Sequence, residues 1–280
     1  LADLGVVLTD EKIRNLTARL DTVFKEAYET AVENNQKAID KLANLKNELN
    51  DPTGKYSNLT DIQREAKLKY FANEVIRTDQ MAKNIADEIA AAGKTAGTLI
   101  QAEMPGIWGL NYDFSNYSIQ KQLGYEINFA QYDRNQILAI LNEDRGPFTK
   151  AAITNLGQNT KVVHALQNEL LKGTVNGESQ AQLIKRIKNV TNQKTYEAKR
   201  IVQTERTRVQ TQGRMASIKE AEALGIKMDK QWMSRLIRTR NSHLSVHGEI
   251  KPSGENFGNG LEYPGDPSGP PEEVINCRNY

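Results

Sequence analysis

The 280 residues hold one cysteine, Cys277, and three histidines, His164, His243 and His247. A single cysteine excludes an intrachain disulfide framework and permits a reducing interior. The longest apolar runs are a few residues, far below the ~20 that a membrane-crossing helix needs, so a spanning helix is not expected. No positively charged start leads into an apolar signal core, and the first residue is Leu1 rather than Met, which is compatible with a trimmed or processed start. Aromatic side chains make up only 6%, yet the hydrophobic share is 38%, enough to build a core. The length fits one large domain or two smaller ones.

Several catalytic signatures are also missing. There is no Gly-x-x-x-x-Gly-Lys phosphate loop, Gly-x-Ser-x-Gly elbow, His-Glu-x-x-His pair or doubled Cys-x-x-Cys. Finger, zipper and RNA-binding signatures are absent too, so sequence-specific readout of nucleic acid has no support.

What is present is an uneven charge distribution. The net charge is only +2. Residues 1–149 carry 17 basic and 22 acidic side chains, residues 150–251 carry 19 and 8, and residues 252–280 carry 1 and 5. A strongly basic segment thus lies between two acidic ones, and basic segments attract phosphate backbones or acidic protein surfaces. The basic residues cluster at Lys185, Arg186 and Lys188, then at Lys199, Arg200, Arg206, Arg208 and Arg214, then at Arg235, Arg238 and Arg240. The planar arginine fork suits phosphate, and such contacts are indifferent to base sequence and weaken with salt. A solvated helix face is the plainer reading of any one cluster.

Apolar residues at intervals of three and four predict a long helix over 9–49, started by Thr9 with Asp10 and Glu11 in its first turn. Asn50 to Gly54 reads as a turn. Thr60-Asp61-Ile62-Gln63 has the form of a capping box. It predicts a second helix to about 102 with Ile62, Ala66, Tyr70, Val75, Met81, Ile85 and Ile89 as its buried stripe. Gly93 and Gly97 are expected to loosen its far end. The two helices form an antiparallel hairpin.

Pro105 and Gly106 are expected to end that helix. Trp108, Tyr112, Phe114, Tyr117, Tyr125, Phe129 and Tyr132 follow, seven of the 18 aromatics. They read as anchors pinning a loop to the core, or alternatively as a partner-docking arm. Helical patterning returns from Tyr132, with Gly146-Pro147 separating a short helix from one over 148–172. Gly173 to Gly177 reads as a turn. Two further helices are expected, one starting at Ser179 and one over 194–224 closed by Gly225. Short extended pieces over 226–251 precede a loop region holding five of the eight prolines.

His243 and His247, with Cys277 and an oxygen donor such as Asp266, are the candidate zinc ligands, but their spacing matches no closed zinc pattern. Packing and hydrogen bonding are the expected roles, and no metal or other cofactor is expected. Cys277 with either histidine would make a nucleophile and base, but a cysteine three residues from the chain end is poorly supported.

The C-terminal third carries an ordered set of elements. A helix holds Ala198 to Glu205 and Gly213-Arg214 and ends in Glu222-Ala223-Leu224-Gly225. Trp232, Arg238-Thr239-Arg240, His243 and His247-Gly248 follow, then Tyr263-Pro264-Gly265-Asp266-Pro267 and Asn276-Cys277-Arg278. This order resembles the bacteriophage head morphogenesis family, the Mu F-like minor head proteins, over roughly 150–280. The family usually has an acidic residue before Arg-Thr-Arg, where this chain has Leu236 and Ile237. It often ends in Asn-Cys-Arg-Cys, where this chain reads Asn276-Cys277-Arg278-Asn279.

The resemblance implies a non-enzymatic minor capsid protein of the virion interior, assembled in the host bacterial cytoplasm. It would be associated with the portal and would act in head assembly and in DNA packaging or ejection. The portal protein and capsid or scaffold proteins are the implied partners, with double-stranded DNA as a further one through the basic residues from Lys185 to Arg214, and no membrane. Trp232, Arg238, Arg240, His243, His247, Asn276, Cys277 and Arg278 would be its structural motif, with Trp232 in the core and His243, Asn276 and Arg278 tying the terminal loop back. The alternative is a metal-dependent or toxin-like enzyme using His243, His247 and Cys277. The expected architecture is mainly α with a small α+β C-terminal domain and a long N-terminal antiparallel helical hairpin. The expected divisions are 1–103 (hairpin), 104–147 (aromatic-rich connector) and 148–280 (head-morphogenesis domain).

Overall fold

The computed structural model describes residues 3–78, 80–143 and 147–280. Its elements run α1 (Leu4–Asn34), α2 (Gln36–Asn50), α3 (Asp61–Asn73), a π-helical turn (Glu74–Thr78), α4 (Met81–Leu123), α5 (Arg134–Glu143), α6 (Pro147–Leu156), α7 (Thr160–Asn176), α8 (Gln180–Ala223), β1 (Asp229–Gln231), α9 (Asn241–Leu244), β2 (Ile250–Pro252) and α10 (Pro271–Val274). The fold is mainly α with a small antiparallel two-stranded sheet near the C-terminus. The chain divides into two compact units. Unit 1 is Leu1–Arg19, Thr98–Ile153 and Lys199–Tyr280, and unit 2 is Leu20–Gly97 and Thr154–Ala198.

In unit 2, α2, α3 and α7 pack together around Leu42, Leu45, Leu49, Leu68, Leu166 and Leu170. The long first helix of the sequence pattern is interrupted at Asn35. This residue is buried with φ −113°, and its side-chain amide donates to the Ala31 carbonyl at 2.8 Å. A side chain that bonds the preceding turn competes with the helical ladder. The helix also begins earlier than Thr9. The Asp3 carboxylate accepts from the Val6 amide at 3.0 Å, and Thr9 is a buried residue within α1 rather than its cap.

The capping box at Thr60 and Gln63 is present in both directions. The expected stripe of α3 is not the buried one: Leu68 and Ala72 face inward, while Ile62, Ala66 and Tyr70 face solvent. Gly93 does not loosen α4. A Cβ there would fall 1.9 Å from the Leu156 carbonyl oxygen, so the glycine permits a backbone-to-backbone contact. The expected helix over 148–172 is two helices, α6 and α7; Gly146 lies outside the described residues. The expected turn begins only at Gly177, where φ is +73° and the Gly177 and Glu178 amides close α7 onto Thr174 and Gly173.

Unit 1 overturns the break expected at Pro105. Helix α4 runs through that proline to Leu123. A mid-helix proline costs about 3 kcal/mol in isolation, but Ile100, Met104, Ile107 and Trp108 around it are all buried, and their packing holds the helix. The expected aromatic loop is therefore helical up to Leu123. Trp108 stacks on Tyr112 with ring centroids 5.1 Å apart, and Tyr132 meets both edge-on. The hydroxyls of Tyr112 and Tyr132 donate to Glu220 on α8 at 2.8 and 2.7 Å. The Tyr132 hydroxyl is pushed up to about 12, first by that hydrogen bond. Tyr117 and Tyr125 remain exposed.

The two helices expected over 179–224 are one continuous helix, α8, and Gly225 at φ +87° closes it as the sequence implies. Near Gly213 the backbones of α8 and α4 touch, since a Cβ there would lie 2.4 Å from the Trp108 carbonyl oxygen. After α8, β1 pairs with β2 through Asp229 with Pro252, Lys230 with Lys251, and Gln231 with Ile250. Beside them Trp232, Val246, Phe257 and Leu261 form a small core.

Candidate functional site

The middle of α8 has an unusual composition for a buried helix. Thr204, Glu205, Arg206, Thr207, Arg208, Gln210, Thr211 and Gln212 are all buried. Buried polar groups need partners, and the partners of this segment organise unit 1.

Arg208 donates to both oxygens of Glu205, at 3.0 and 2.8 Å, and to Gln212 at 2.9 Å. Arg206 donates to Asp10 on α1 at 2.6 Å, and the same carboxylate accepts from Arg235. Burial pulls the Arg206 guanidinium down to about 10; nearby Arg235 adds to this and Asp10 opposes it. Arg214 pairs with Asp3, donates to buried Asn111 at 3.2 Å and lies over the rings of Phe114 and Tyr280. Arg206, Arg208 and Arg214 are therefore committed to partners inside unit 1.

The remaining basic residues differ. Lys185, Lys188 and Arg200 are exposed, with Lys188 5.9 Å from the Tyr28 ring centroid. Arg186 is locked between Glu178 at 2.6 Å and Glu169 at 2.5 Å, which holds its guanidinium above the usual value. Lys199 is half-buried and engaged.

The same face of α8 holds the terminal loop. The Cys277 carbonyl accepts from Gln203 at 3.0 Å and from the Thr207 hydroxyl at 2.6 Å. The Asn276 amide donates to the Thr204 hydroxyl at 2.9 Å, and Asn276 itself takes φ +59° to do so. Met233 and Tyr280 exchange both main-chain hydrogen bonds, at 2.9 and 3.0 Å. Arg240 donates to the carbonyls of Glu273 and Ile275. Arg278 is half-buried, and its side chain makes no hydrogen bond or ion pair with a described residue.

His243 sits at the centre of this loop, 1% exposed. Its Nδ1 lies 2.5 Å from the Asn279 amide nitrogen and 3.7 Å from Cys277 Sγ, and its Nε2 lies 2.7 Å from Glu273. An amide donor on Nδ1 makes that nitrogen the acceptor and leaves the proton on Nε2, which is close to the Glu273 carboxylate without the geometry of a hydrogen bond. Burial lowers the His243 pKa, with Glu273 opposing, and burial raises the Cys277 thiol. Both groups are thus held neutral. Ser242 also donates to Glu273, and the Ser234 hydroxyl donates to the His243 carbonyl while accepting from the Trp232 indole.

His247 is exposed, and its Nδ1 accepts from the Ser234 amide at 3.0 Å. Among the described residues no group of three or more His, Cys, Asp and Glu side chains is placed to hold a metal. Arg238 is exposed with φ +54°, beside Leu236 at φ +61°.

Much of this arrangement, though not Asp3, Asp10, Asn111 or Tyr280, lies in a stretch that resembles a known family. The signature of the family described as Phage Mu protein F like protein matches residues 164–279. The chain is also similar to the minor head protein GP7 of Bacillus phage SPP1, with 24% identity over 249 residues, spanning 89% of this chain and 74% of that protein. No solved structure matches significantly. The matched stretch takes in Trp232, Arg238, Arg240, His243, His247, Asn276, Cys277 and Arg278, and with them the terminal loop as far as Asn279. The sequence pattern missed Asp3, Asp10, Thr207, Glu273 and Asn279. A buried run of Thr, Glu, Arg and Gln on one helix was the available signal for such partners.

Proposed function

We propose that the chain is a structural component of a phage head that associates with the portal and acts in head assembly and in DNA packaging or ejection. The observation that carries this reading is the Mu F-like segment, supported by the similarity to a minor head protein along most of the chain. The site geometry supports a structural role. His243 and Cys277 are each 1% exposed, the thiol is held protonated, and an amide occupies the histidine nitrogen nearest the sulfur. A nucleophile and base need the reverse: an accessible thiol with depressed pKa and a free base. The rival reading as an enzyme built on His243, His247 and Cys277 therefore gains no support.

Of the eight basic residues named from Lys185 to Arg214, Lys185, Lys188 and Arg200 are the ones exposed to a phosphate backbone. The protein is expected to co-purify with procapsids and virions; absence from both overturns the head assignment. Duplex binding is expected to fall steeply with salt, and replacing Lys185, Lys188 and Arg200 by Glu is expected to reduce the log–log salt slope by about 2–3. Binding that ignores salt, or a slope untouched by the triple change, overturns the DNA contact alone.

A further inference from the structure

Just after Trp232 the chain turns through Arg235 to Thr239, and two residues of that turn take a left-handed backbone: Leu236 at φ +61° and Arg238 at φ +54°. Bulky side chains are rare in that region, which glycine or asparagine enters at less cost. Between them Ile237 is 75% exposed, and Leu236 is 62% exposed. Both ends of the turn are fixed. Arg235 donates to Asp10 at 2.6 Å, and Arg240 donates to the carbonyls of Glu273 and Ile275. The strained turn thus holds two aliphatic side chains out in water, and strain of that kind marks a place where the side chains are used.

Unpaired positive charge flanks the aliphatic pair. Arg238 is exposed and makes no hydrogen bond or ion pair with a described residue, and the same holds for half-buried Arg278. Met233 exchanges main-chain bonds with Tyr280, and Arg240 reaches Glu273. The two segments therefore run antiparallel, which brings Arg278 level with Arg235. One free guanidinium follows the aliphatic pair and the other stands beside its start. Carboxylates of the same neighbourhood are already engaged: Asp10 serves Arg206 and Arg235, and Glu273 serves Ser242 and stands against His243.

We propose that this turn docks on an acidic protein surface of another head component. Leu236 and Ile237 enter an apolar recess there, and Arg238 and Arg278 pair with carboxylates on either side of it. Charge sets the sign of the partner, because a neutral or basic surface would desolvate both guanidinium groups without pairing them. The aliphatic pair sets its class. A duplex backbone would pair the arginines and leave Leu236 and Ile237 against hydrated phosphate, whereas a protein recess buries them. The basic residues of 233–240 and 273–280 are all arginine. Arginine is enriched at protein interfaces where lysine is depleted, and its fork matches a carboxylate with two parallel bonds. A turn fixed at both ends is ordered before it binds, so docking costs it little freedom. The proposal rests on the chain being a head component.

Procapsids carrying Arg238→Lys test this directly, because a carbodiimide joins an amine to an adjacent carboxylate. The expected result is an amide from position 238 to an Asp or Glu of another head protein, mapped by mass spectrometry. Ile237→Asp with Arg238→Glu is expected to lower the amount of the chain in heads at least about tenfold. Both side chains are exposed and unpaired, so the urea midpoint of the purified double variant is expected to stay unchanged. Leu236→Gly is expected to raise that midpoint by relieving the left-handed leucine, and yet to lower head entry. A purely structural role would move both readings in the same direction. If the parent chain and the double variant enter heads equally, the proposal is overturned and the head reading stands. Absence of the parent chain from heads overturns both. An amide formed only to a second copy of this chain refutes the separate partner. No amide at 238, together with lost duplex binding in the double variant, gives the turn to DNA and refutes the acidic protein.

Discussion

The hydroxyl of Thr207 donates to the main-chain carbonyl of Cys277 at 2.6 Å, joining α8 to a loop 70 residues further on. The bond is buried, and the carbonyl takes a second bond from Gln203. Thr207→Val keeps the shape and removes one donor, so a loss of about 1 kcal/mol is expected in urea unfolding. Thr207→Val with Gln203→Leu leaves the carbonyl without either bond, and the combined loss is expected to reach about 2–3 kcal/mol. A double variant no weaker than the single one would show that the loop is not held there.

Asp10 neutralises two arginines from different elements, and one of them, Arg206, is 1% exposed. Asp10→Asn is expected to cost about 2–4 kcal/mol, because it leaves a buried cation without its counter-charge. Adding Arg206→Met is expected to recover part of that loss, since the stranded charge disappears. Chemical denaturation of the two variants against the parent chain reads both signs.

Gly213→Ala is normally a gain of about 1 kcal/mol within a helix. Here the new methyl would lie 2.4 Å from the Trp108 carbonyl oxygen and 3.2 Å from the Tyr112 amide nitrogen. Backbone atoms cannot swing aside, so a net loss of roughly 2 kcal/mol or more is expected in thermal or urea unfolding. At Gly225, where nothing lies within 4 Å but φ is +87°, alanine is expected to cost less, through backbone strain alone.

The pH dependence follows from His243 and Cys277. Burial lowers the native His243 pKa below its ordinary 6.5, so protonation favours the unfolded chain. The stabilising contribution is complete above about pH 6.5 and is lost as pH falls through the lowered native value. Burial raises the Cys277 thiol above 9.0, so the opposite loss sets in as pH rises past that ordinary value. His243→Gln is expected to be less stable at neutral pH and to lose less on acidification from pH 7 to 5. A thiol reagent at pH 8 is expected to leave Cys277 unmodified until denaturant is added.

The α class, the capping box at Thr60, the close of α8 at Gly225 and the short extended pieces around Trp232 were all legible, because each rests on local chemistry. The helix through Pro105 was not. The proline rule describes an isolated segment, and the burial of Met104, Ile107 and Trp108 that outweighs it is tertiary. The stripe of α3 misled for a related reason. Period alone says that Ile62, Ala66 and Tyr70 share a face, but Leu68 and Ala72 share another, and packing chose the second. The basic segment misled in part, since a count of charges cannot tell Lys185, which meets water, from Arg208, which meets Glu205.

Unit 1 draws on stretches at the start, middle and end of the chain. Its polar central helix finds some of its partners only in the last residues, from Asn276 to Tyr280. During synthesis those arrive after everything they must satisfy, on the order of 10 to 50 seconds behind α1 at ordinary elongation rates of about 5–20 residues per second. Until then Thr204 and Thr207 lack their long-range bonds, and the unit remains open. Taking away Asn276 to Tyr280 would spare almost all of the apolar core of unit 1 and remove the bonds to Thr204 and Thr207, so the closure of the unit rests on a few polar groups and not on buried area.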